Sequence, residues 1–287
     1  MKNIESFSKL KIVAAMLIFG SVGIFRALTP LPSVLVAIFR GLIGALFLLI
    51  IRAKKINFAN IKKNLPLLIC SGATLGINWF LLFEAFNHTS ISAATLYYYM
   101  APLIIIIASP FLLKERFKKT DILLVLLSLL GIALVSGFFE EQGQNLNLKG
   151  LFFGIGAAIF YAATVLINKK ITGISATDKT ITQLLVSSAV LLPFFLLQNG
   201  FSLPHFKPLD IWVLVIMGVV HTGLAYALYF GGIETVKAKT AAILSYIDPV
   251  FAIILSSALS LTPPSIYVII GAVLILGSSL ISEIAKK

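Results

Sequence analysis

The amino-acid sequence predicts an all-α membrane protein with ten transmembrane helices, arranged as two inverted five-helix repeats. Composition is the first observation behind this prediction: 59% of the 287 residues are hydrophobic, only 12% are charged, and the mean hydropathy is +1.03. Soluble domains carry roughly a quarter charged residues. The other two observations are ten apolar stretches and a similarity between the two halves. Composition therefore excludes a soluble globule, a disordered chain and a disulfide-rich secreted protein.

The ten apolar stretches each match the length of a membrane-crossing helix. A helix covers the roughly 30 Å hydrocarbon core in about 20 residues, and the pieces between the stretches are too short for a soluble domain. Turn-forming residues separate several neighbours, as at Pro30, Asn87 and Pro263-Pro264. No small-residue cleavage site closes the first stretch, so we expect a mature helix there and not a signal peptide. The predicted spans are 9–28, 32–51, 65–86, 90–112, 121–138, 150–169, 178–198, 210–232, 239–261 and 265–284.

Lysine and arginine predict the orientation of these spans, because cytoplasmic loops of membrane proteins carry an excess of both. With the N-terminus inside, the cytoplasmic pieces hold nineteen of the 23 Lys and Arg residues. The exceptions are Arg26, Lys149 and Lys207 on the other side and Arg40 inside a span. We therefore expect both termini in the cytoplasm of a cell with this protein in its inner or plasma membrane. The net charge of +12 is an orientation signal and not evidence of a nucleic-acid partner.

The two halves of the chain resemble each other in the third and fourth spans. Residues 67–72 align with 213–218 at a shift of 146, and with one further residue of shift Tyr99 aligns with Tyr246 and Pro102 with Pro249. Each half has five spans, an odd number, so the second half would enter the membrane from the opposite side. Inverted repeats of this kind are widespread among secondary transporters.

The two aligned prolines mark a candidate binding region. Pro102 and Pro249 each lie about halfway along a span, where proline removes a backbone hydrogen bond. Interrupted helices at matching positions of the two halves indicate a substrate site near the membrane midplane. The prolines are therefore candidates for helix kinks that gate the site, and a plain packing kink is the alternative.

Two charged residues lie near the middle of predicted spans. Arg40 would cost roughly 2.5 to 3.5 kcal/mol to insert, which predicts an anchor for a substrate carboxylate, a fixed gate, or a structural pair with an acid or with carbonyl groups. Asp248 could exchange protons during transport or bind a substrate ammonium group, since intramembrane acids mark such pathways. An ion pair between Arg40 and Asp248 is the alternative for both residues.

Polar and aromatic residues at similar depth complete the candidate substrate site. His221 could relay protons near neutral pH, although a lone histidine in a helix also serves as a hydrogen-bonded packing residue. Deep tyrosine and tryptophan side chains need hydrogen-bond partners and suit an amphipathic cavity. The remaining candidates are Asn78, Trp79, Tyr98, Tyr99, Tyr226 and Tyr246.

The chain resembles the drug/metabolite transporter superfamily of EamA type. The residues that carry the resemblance are Arg40, Ala93-Ala94-Thr95, Pro102, Glu115, Gly131 and Tyr161-Ala162. The resemblance implies two EamA-like repeats, 1–140 and 148–287, and a ten-helix inner-membrane exporter of amino acids or other small metabolites. It also implies a role for Glu115 as a family motif residue. Two departures are Phe19-Gly20, where members often have Trp-Gly, and Thr262, where the second half commonly repeats the glutamate.

These observations favour a secondary active transporter that works by alternating access around a central cavity. The sequence has no P-loop, no His-Glu-x-x-His and no metal-spaced Cys or His cluster, so we expect no cofactor, no metal and no enzyme activity. The expected partners are a small-molecule substrate, membrane lipid and, as a candidate coupling ion, the proton. An ion channel or a lipid-translocating protein on the same scaffold is the alternative. An intramembrane enzyme using Asp248 and His221, or a purely structural subunit, is less favoured.

Overall fold

The protein is helical throughout the part of the chain that the structure, a computed structural model, describes. The described residues are 2–52, 56–89, 94, 97–114, 119–135, 147–199, 203–260 and 265–284. The helices are α1 (Lys2–Ala27), α2 (Ser33–Arg52), α3 (Phe58–His88), α4 (Ala101–Leu113), α5 (Lys119–Val135), α6 (Leu148–Lys170), α7 (Ala176–Asn199), α8 (Pro208–Gly232), α9 (Ala238–Leu244), α10 (Ile247–Ser260) and α11 (Ile266–Ile284).

Six of these helices are long and apolar enough to cross a membrane: α1, α2, α3, α6, α7 and α8. Large apolar side chains lie on the outer surface, and Phe111, Phe152 and Leu197 are 82%, 72% and 85% exposed. Soluble proteins rarely expose apolar surface on this scale. Together with the helix lengths, this surface fits an integral, multi-pass membrane protein.

Helical segments occur in each of the ten predicted stretches, but several boundaries differ. The helix α3 starts at Phe58, seven residues before the predicted span, because the Asn57 side chain caps it by accepting a hydrogen bond from the backbone of Asn60. The fourth and ninth stretches are not single helices. A turn at 99–100 precedes α4, and a turn at 245–246 separates α9 from α10.

The helix α8 contains one turn of π-helix, Val219–Leu224. A π-turn spaces its hydrogen bonds five residues apart, and such turns are frequent at functional sites. The turn packs against α2 at Gly44, where an added Cβ would lie 2.8 Å from the Gly218 carbonyl oxygen and 2.9 Å from the Gly223 nitrogen. The two helices can approach this closely because glycine has no side chain.

Glycines also set the contact between α3 and α7. A Cβ on Gly72 would lie 2.9 Å from the Gln183 carbonyl oxygen, and one on Gly76 would lie 2.8 Å from that of Ser187. Small residues at helix interfaces are typical of membrane proteins, where close backbone approach supplies the packing energy. The core therefore consists of α2, α3, α7 and α8, with α1, α6 and α10 packed around them and α5 paired with α11.

Polar contacts are concentrated at the end of the molecule where α1 begins, which we call the terminal face. There the Lys169 ammonium donates hydrogen bonds to the carbonyl oxygens of Ile233 and Val236, at 2.8 and 2.7 Å. Lys179 forms an ion pair with Glu234 at 2.9 Å. A further ion pair, between Lys239 and Asp121 at 2.7 Å, is largely buried, and the exposed Thr235 donates a hydrogen bond to the buried Ser8 hydroxyl at 2.7 Å. These contacts close the terminal face.

Candidate functional site

A cavity of about 260 Å³ lies between α1, α2, α3, α4, α6, α8 and α10. Its wall reaches Arg26 and Phe86 near the ends of α1 and α3, so the cavity extends toward the face opposite the terminal face. Most of the wall is apolar. The polar and aromatic lining consists of Phe19, Arg26, Arg40, Trp79, Phe83, Phe86, Tyr98, Tyr99, Tyr161, Tyr226, Ser245 and Asp248.

Arg40 lies in the middle of α2 and is only 7% exposed. Its Nε donates a hydrogen bond to the Thr222 hydroxyl at 2.9 Å. The guanidinium carbon lies 4.6 Å from the ring centroid of Trp79, a cation–π contact. Among the described residues, no acceptor lies within hydrogen-bonding distance of its two terminal nitrogens. The arrangement leaves a fixed guanidinium with unused donors in the cavity wall.

Asp248 lines the same cavity from the start of α10 and is half-buried. The Tyr99 side chain lies beside its carboxylate and can donate a hydrogen bond to it. In the part of the chain that the structure describes, no ion pair joins Asp248 to Arg40 or to another cation. The alternative in which these two charges neutralise each other is therefore absent from this conformation. Both charges are available to a bound molecule.

Aromatic side chains join the two charged groups. The Trp79 indole donates a hydrogen bond to the Tyr226 hydroxyl at 3.1 Å, and the Phe19 ring lies 4.9 Å from the Tyr226 ring. Tyr98 contacts Tyr161 with a ring distance of 5.7 Å. Such a wall can cover apolar groups of a ligand and offers hydroxyl groups at fixed points.

The helix interruptions predicted from the prolines lie at the cavity. Pro102 is in the first turn of α4, directly after the turn at 99–100, and lines the cavity. Pro249 is in the first turn of α10 and is buried, but it does not line the cavity. The two turns contact each other, since the Tyr246 hydroxyl donates to the Tyr99 carbonyl oxygen at 3.2 Å. The helical backbone is thus interrupted at residues 99–100 and 245–246, near Asp248.

The structure brings six of the nine predicted substrate-binding residues to the cavity and leaves three in its surroundings. Asn78 is 1% exposed and donates to the Ala157 carbonyl oxygen at 2.7 Å, which ties α3 to α6. His221 is hydrogen-bonded to the Ser21 hydroxyl at 2.9 Å and packs on Phe25. Tyr246 is fully buried behind Tyr99. The six residues in the wall are Arg40, Trp79, Tyr98, Tyr99, Tyr226 and Asp248.

Some residues named in the sequence analysis lie outside the described residues. They are Glu115, Ala93, Thr95, Thr262, Pro263 and Pro264.

Among the residues at or beside the cavity, Arg26, Phe19, Tyr161 and Thr222 were not sequence-predicted site residues. Arg26 was used only in the count of charges that predicts orientation, yet it lines the cavity and donates to Thr29 and Leu31 carbonyl oxygens at 2.7 and 3.0 Å. Phe19 entered the sequence analysis only as a departure from the family pattern and Tyr161 only as part of the family resemblance; depth in the span was the signal that could have selected them. Thr222 is fully buried beneath Arg40, and an apolar helix gives no signal for it.

The described residues contain no group of three or more His, Cys, Asp or Glu side chains that could hold a metal ion. The groups in the cavity wall can bind a ligand. An anion fits the Arg40 donors, a cation fits the Asp248 carboxylate, and apolar groups fit the aromatic wall between them.

Comparisons with known proteins relate the chain to transporters. A profile described as the EamA-like transporter family matches residues 7–137 and again 148–283. The uncharacterized transporter YxxF of Bacillus subtilis (strain 168) is 29% identical and covers 99% of this chain and 91% of its own length. Human solute carrier family 35 member G1 is 25% identical over 81% of this chain and 66% of its own length. A crystal structure with 18% identity matches with a TM-score of 0.85 over 98% of this chain and 99% of its own, which shows a shared fold.

Proposed function

Since the chain belongs to the EamA-like transporter family, we propose that it is a secondary active transporter of the plasma membrane that exports amino acids or similar small metabolites by alternating access. The observation that carries the proposal is the cavity itself. Arg40 and Asp248 present opposite charges that are not paired with each other, and aromatic rings lie between them. A free amino acid carries the complementary groups: a carboxylate for Arg40, an ammonium group for Asp248 and a side chain for the aromatic rings.

The proposed scaffold is ten transmembrane helices in two inverted repeats, 1–140 and 148–287. The contact between Trp79 and Tyr226 supports it, because these residues are separated by 147 positions, as are Tyr99 and Tyr246, which also contact each other. A two-fold axis brings equivalent residues near the axis into contact with one another. Two independent pairs with the same separation are what an axis through the cavity would produce.

The glycine contacts support the same repeat. Gly72 contacts Gln183 and Val186 in α7, while Gly218 contacts Arg40 and Ile43 in α2. The contacted residues are 143 positions apart in both cases. The interface between α3 and α7 therefore corresponds to the interface between α2 and α8, as inverted repeats require.

The difference between the two faces supports alternating access as the proposed mechanism. On the terminal face, Lys169 holds the Ile233 carbonyl group. At the separation of 143 found for α2 and α7, Lys169 in α6 corresponds to Arg26 in α1, and at the separation of 147 Ile233 corresponds to Phe86; both positions line the open cavity. The same pair of helix ends is therefore closed on one face and open on the other. In transport, the two faces would exchange these arrangements.

Orientation and coupling are part of the proposal. The excess of lysine and arginine on the terminal face favours a cytoplasmic location of that face and of both termini. We place the proton as the coupling ion at Asp248, supported by its position at the broken backbone of the cavity wall without an ion-pair partner in the described residues. Pro102 and Pro249 would act as the kinks at which the helices bend.

The substrate is tested by untargeted measurement of metabolites in medium and cells, comparing a deletion strain with one that overproduces the protein. We expect one or a few amino acids or related compounds to accumulate outside the overproducing cells. Purified protein in proteoliposomes should then transport that compound. Single-channel conductance steps would instead favour a channel, and scrambling of labelled phospholipid would favour a lipid-translocating protein.

Variants test whether the cavity carries the transport. Arg40→Ala and Asp248→Asn should each lower the flux in proteoliposomes at equal protein content, because each removes one of the two charged contacts. Lys149→Ala is the matched control, since Lys149 is exposed at the start of α6 and outside the cavity. Normal flux in both cavity variants would contradict the assigned site.

A further inference from the structure

We infer that Thr222 and the π-turn that holds it are the positioning device for Arg40: they fix the guanidinium so that its two terminal nitrogens face the cavity as an anion-binding fork. The inference rests on the proposed function only for the identity of the anion, which would be a substrate carboxylate. The fork itself is a property of the cavity wall.

The Thr222 hydroxyl is restricted to one role by its two hydrogen bonds. It donates to the Met217 carbonyl oxygen at 2.8 Å, so its only proton is in use. Its oxygen can then act only as an acceptor toward Arg40 Nε, at 2.9 Å. Because Thr222 is fully buried, no water competes for that acceptor.

Two contacts determine the orientation of the guanidinium plane. Thr222 holds the Nε edge, and the Trp79 ring, 4.6 Å away, supports the flat side. The Trp79 indole is itself held by the Tyr226 hydroxyl at 3.1 Å. With one edge and one side fixed, the two terminal nitrogens project together, which is the geometry that binds carboxylates with two parallel hydrogen bonds.

The π-turn supplies the room for Thr222. Three residues separate Gly72 from Gly76 in α3, whereas four separate the corresponding Gly218 and Gly223 in α8. The extra residue falls within Val219–Leu224, and a π-turn accommodates one extra residue without breaking the helix. The one-residue change in the shift between the two halves therefore coincides with the turn that carries Thr222.

The second half lacks this device. The position that corresponds to Arg40 in α7 is Gln183, a neutral residue, and its amide donates to Ser71 and Asn168 at 2.7 and 3.0 Å. The anion-binding fork therefore belongs to α2 and α8 alone.

The test uses Trp79 as a reporter, since the chain has two tryptophans and Trp212 is 68% exposed and remote from the cavity wall. In purified full-length Trp212→Phe protein, fluorescence quenching by iodide, an anion, is compared with quenching by neutral acrylamide. We expect iodide to be preferred, because it collects at the guanidinium beside Trp79. Arg40→Gln should lose the preference.

Thr222→Val should also lose the iodide preference, while its quenching by acrylamide stays the same. Thr222→Ser, which keeps the hydroxyl group, should retain the iodide preference. Thr222→Ala, which removes the same acceptor with less steric demand, provides the second reading if the valine variant folds poorly. Folded Thr222→Val or Thr222→Ala protein with the full iodide preference would overturn the inference, as would an unchanged preference in Arg40→Gln. The assay needs no transport substrate, so a failure of the proposed transport function would leave its result standing.

Discussion

At the scale of single residues, the cavity depends on how Arg40 and Asp248 are each held without the other. Arg40 is supported by a hydroxyl and an indole ring, both neutral. Asp248 is next to the Tyr99 side chain, also neutral. Neutral support keeps each ionic group in place without satisfying its charge, so a ligand with the complementary charge gains more than it would from a preformed ion pair.

Asp248 provides the test of coupling at this scale. If its carboxylate carries the coupling proton, Asp248→Asn should abolish the acceleration of transport by an imposed pH gradient, because an amide cannot release a proton. Exchange of substrate across the membrane without a gradient should persist at a reduced rate. Both rates are measured in proteoliposomes with and without a pH step.

Asp248→Glu is the matched control, since it retains an ionisable group one methylene further from the backbone. Acceleration by the pH step in Asp248→Asn vesicles equal to that of the parent protein would place the coupling proton elsewhere or remove it from the mechanism.

At the scale of helices, four glycines set the distances between α2, α3, α7 and α8. Gly72 and Gly76 allow α3 to approach α7, and Gly218 and Gly223 allow α8 to approach α2. Arg40 lies at the interface between α2 and α8, and Gln183 lies at the interface between α3 and α7. The position of the anion-binding fork therefore depends on backbone contacts that a single methyl group would disturb.

Alanine substitutions measure this dependence. Gly76→Ala should destabilise the folded protein by about 1–3 kcal/mol, the range for overpacked cores, because its Cβ would lie 2.8 Å from the Ser187 carbonyl oxygen. Gly277→Ala is the control within another helix, since an added Cβ there meets nothing within 4 Å. Thermal unfolding in detergent should show a lower midpoint for Gly76→Ala only. Equal midpoints for the two variants would mean that the helices can separate at no cost.

At the scale of the whole molecule, the contrast between the two faces is the main feature. The terminal face is closed by lysine contacts to carbonyl oxygens and carboxylates, while the cavity extends toward the other face between apolar and aromatic side chains. Under the proposed repeat, Leu166 in α6 corresponds at a separation of 143 to Gly23 in α1, which lines the cavity. Leu166, now 5% exposed, should therefore line the cavity when the terminal face opens.

This correspondence predicts thiol labelling from the terminal face. In a Cys70→Ser background, Leu166→Cys should react with a membrane-impermeant maleimide, and Lys169→Met should increase the rate, because it removes the hydrogen bonds to Ile233 and Val236. Leu68→Cys is the control, since Leu68 is fully buried between helices and its counterpart Leu214 does not line the cavity. Equal labelling at both positions, or none at Leu166, would argue against the exchange of the two faces.

The sequence predicted the helical membrane class and the family, because composition and span length depend on local physics alone. It also placed six residues at the cavity, since charged and aromatic residues deep in a span have few other roles. It could not identify Thr222, whose importance comes from a hydrogen bond across 182 positions. Nor could it distinguish Lys179 from the other lysines that indicate the orientation, although the Lys179 side chain is fully buried against Glu234. Tertiary partners decide such cases, and the pattern of one helix does not contain them.

The ion pairs that close the terminal face also bear on how readily it could open. Pulling Lys179 from the exposed Glu234, or Lys239 from Asp121, would lose a Coulombic attraction, but the buried ions Lys179, Lys239 and Asp121 would regain the hydration that burial removed. These opposing changes are of similar size for buried pairs. A face closed by ion pairs, unlike one closed by interlocked aliphatic side chains, can thus open at a small cost in free energy. A small cost suits a transporter in which this face must open and close in every cycle.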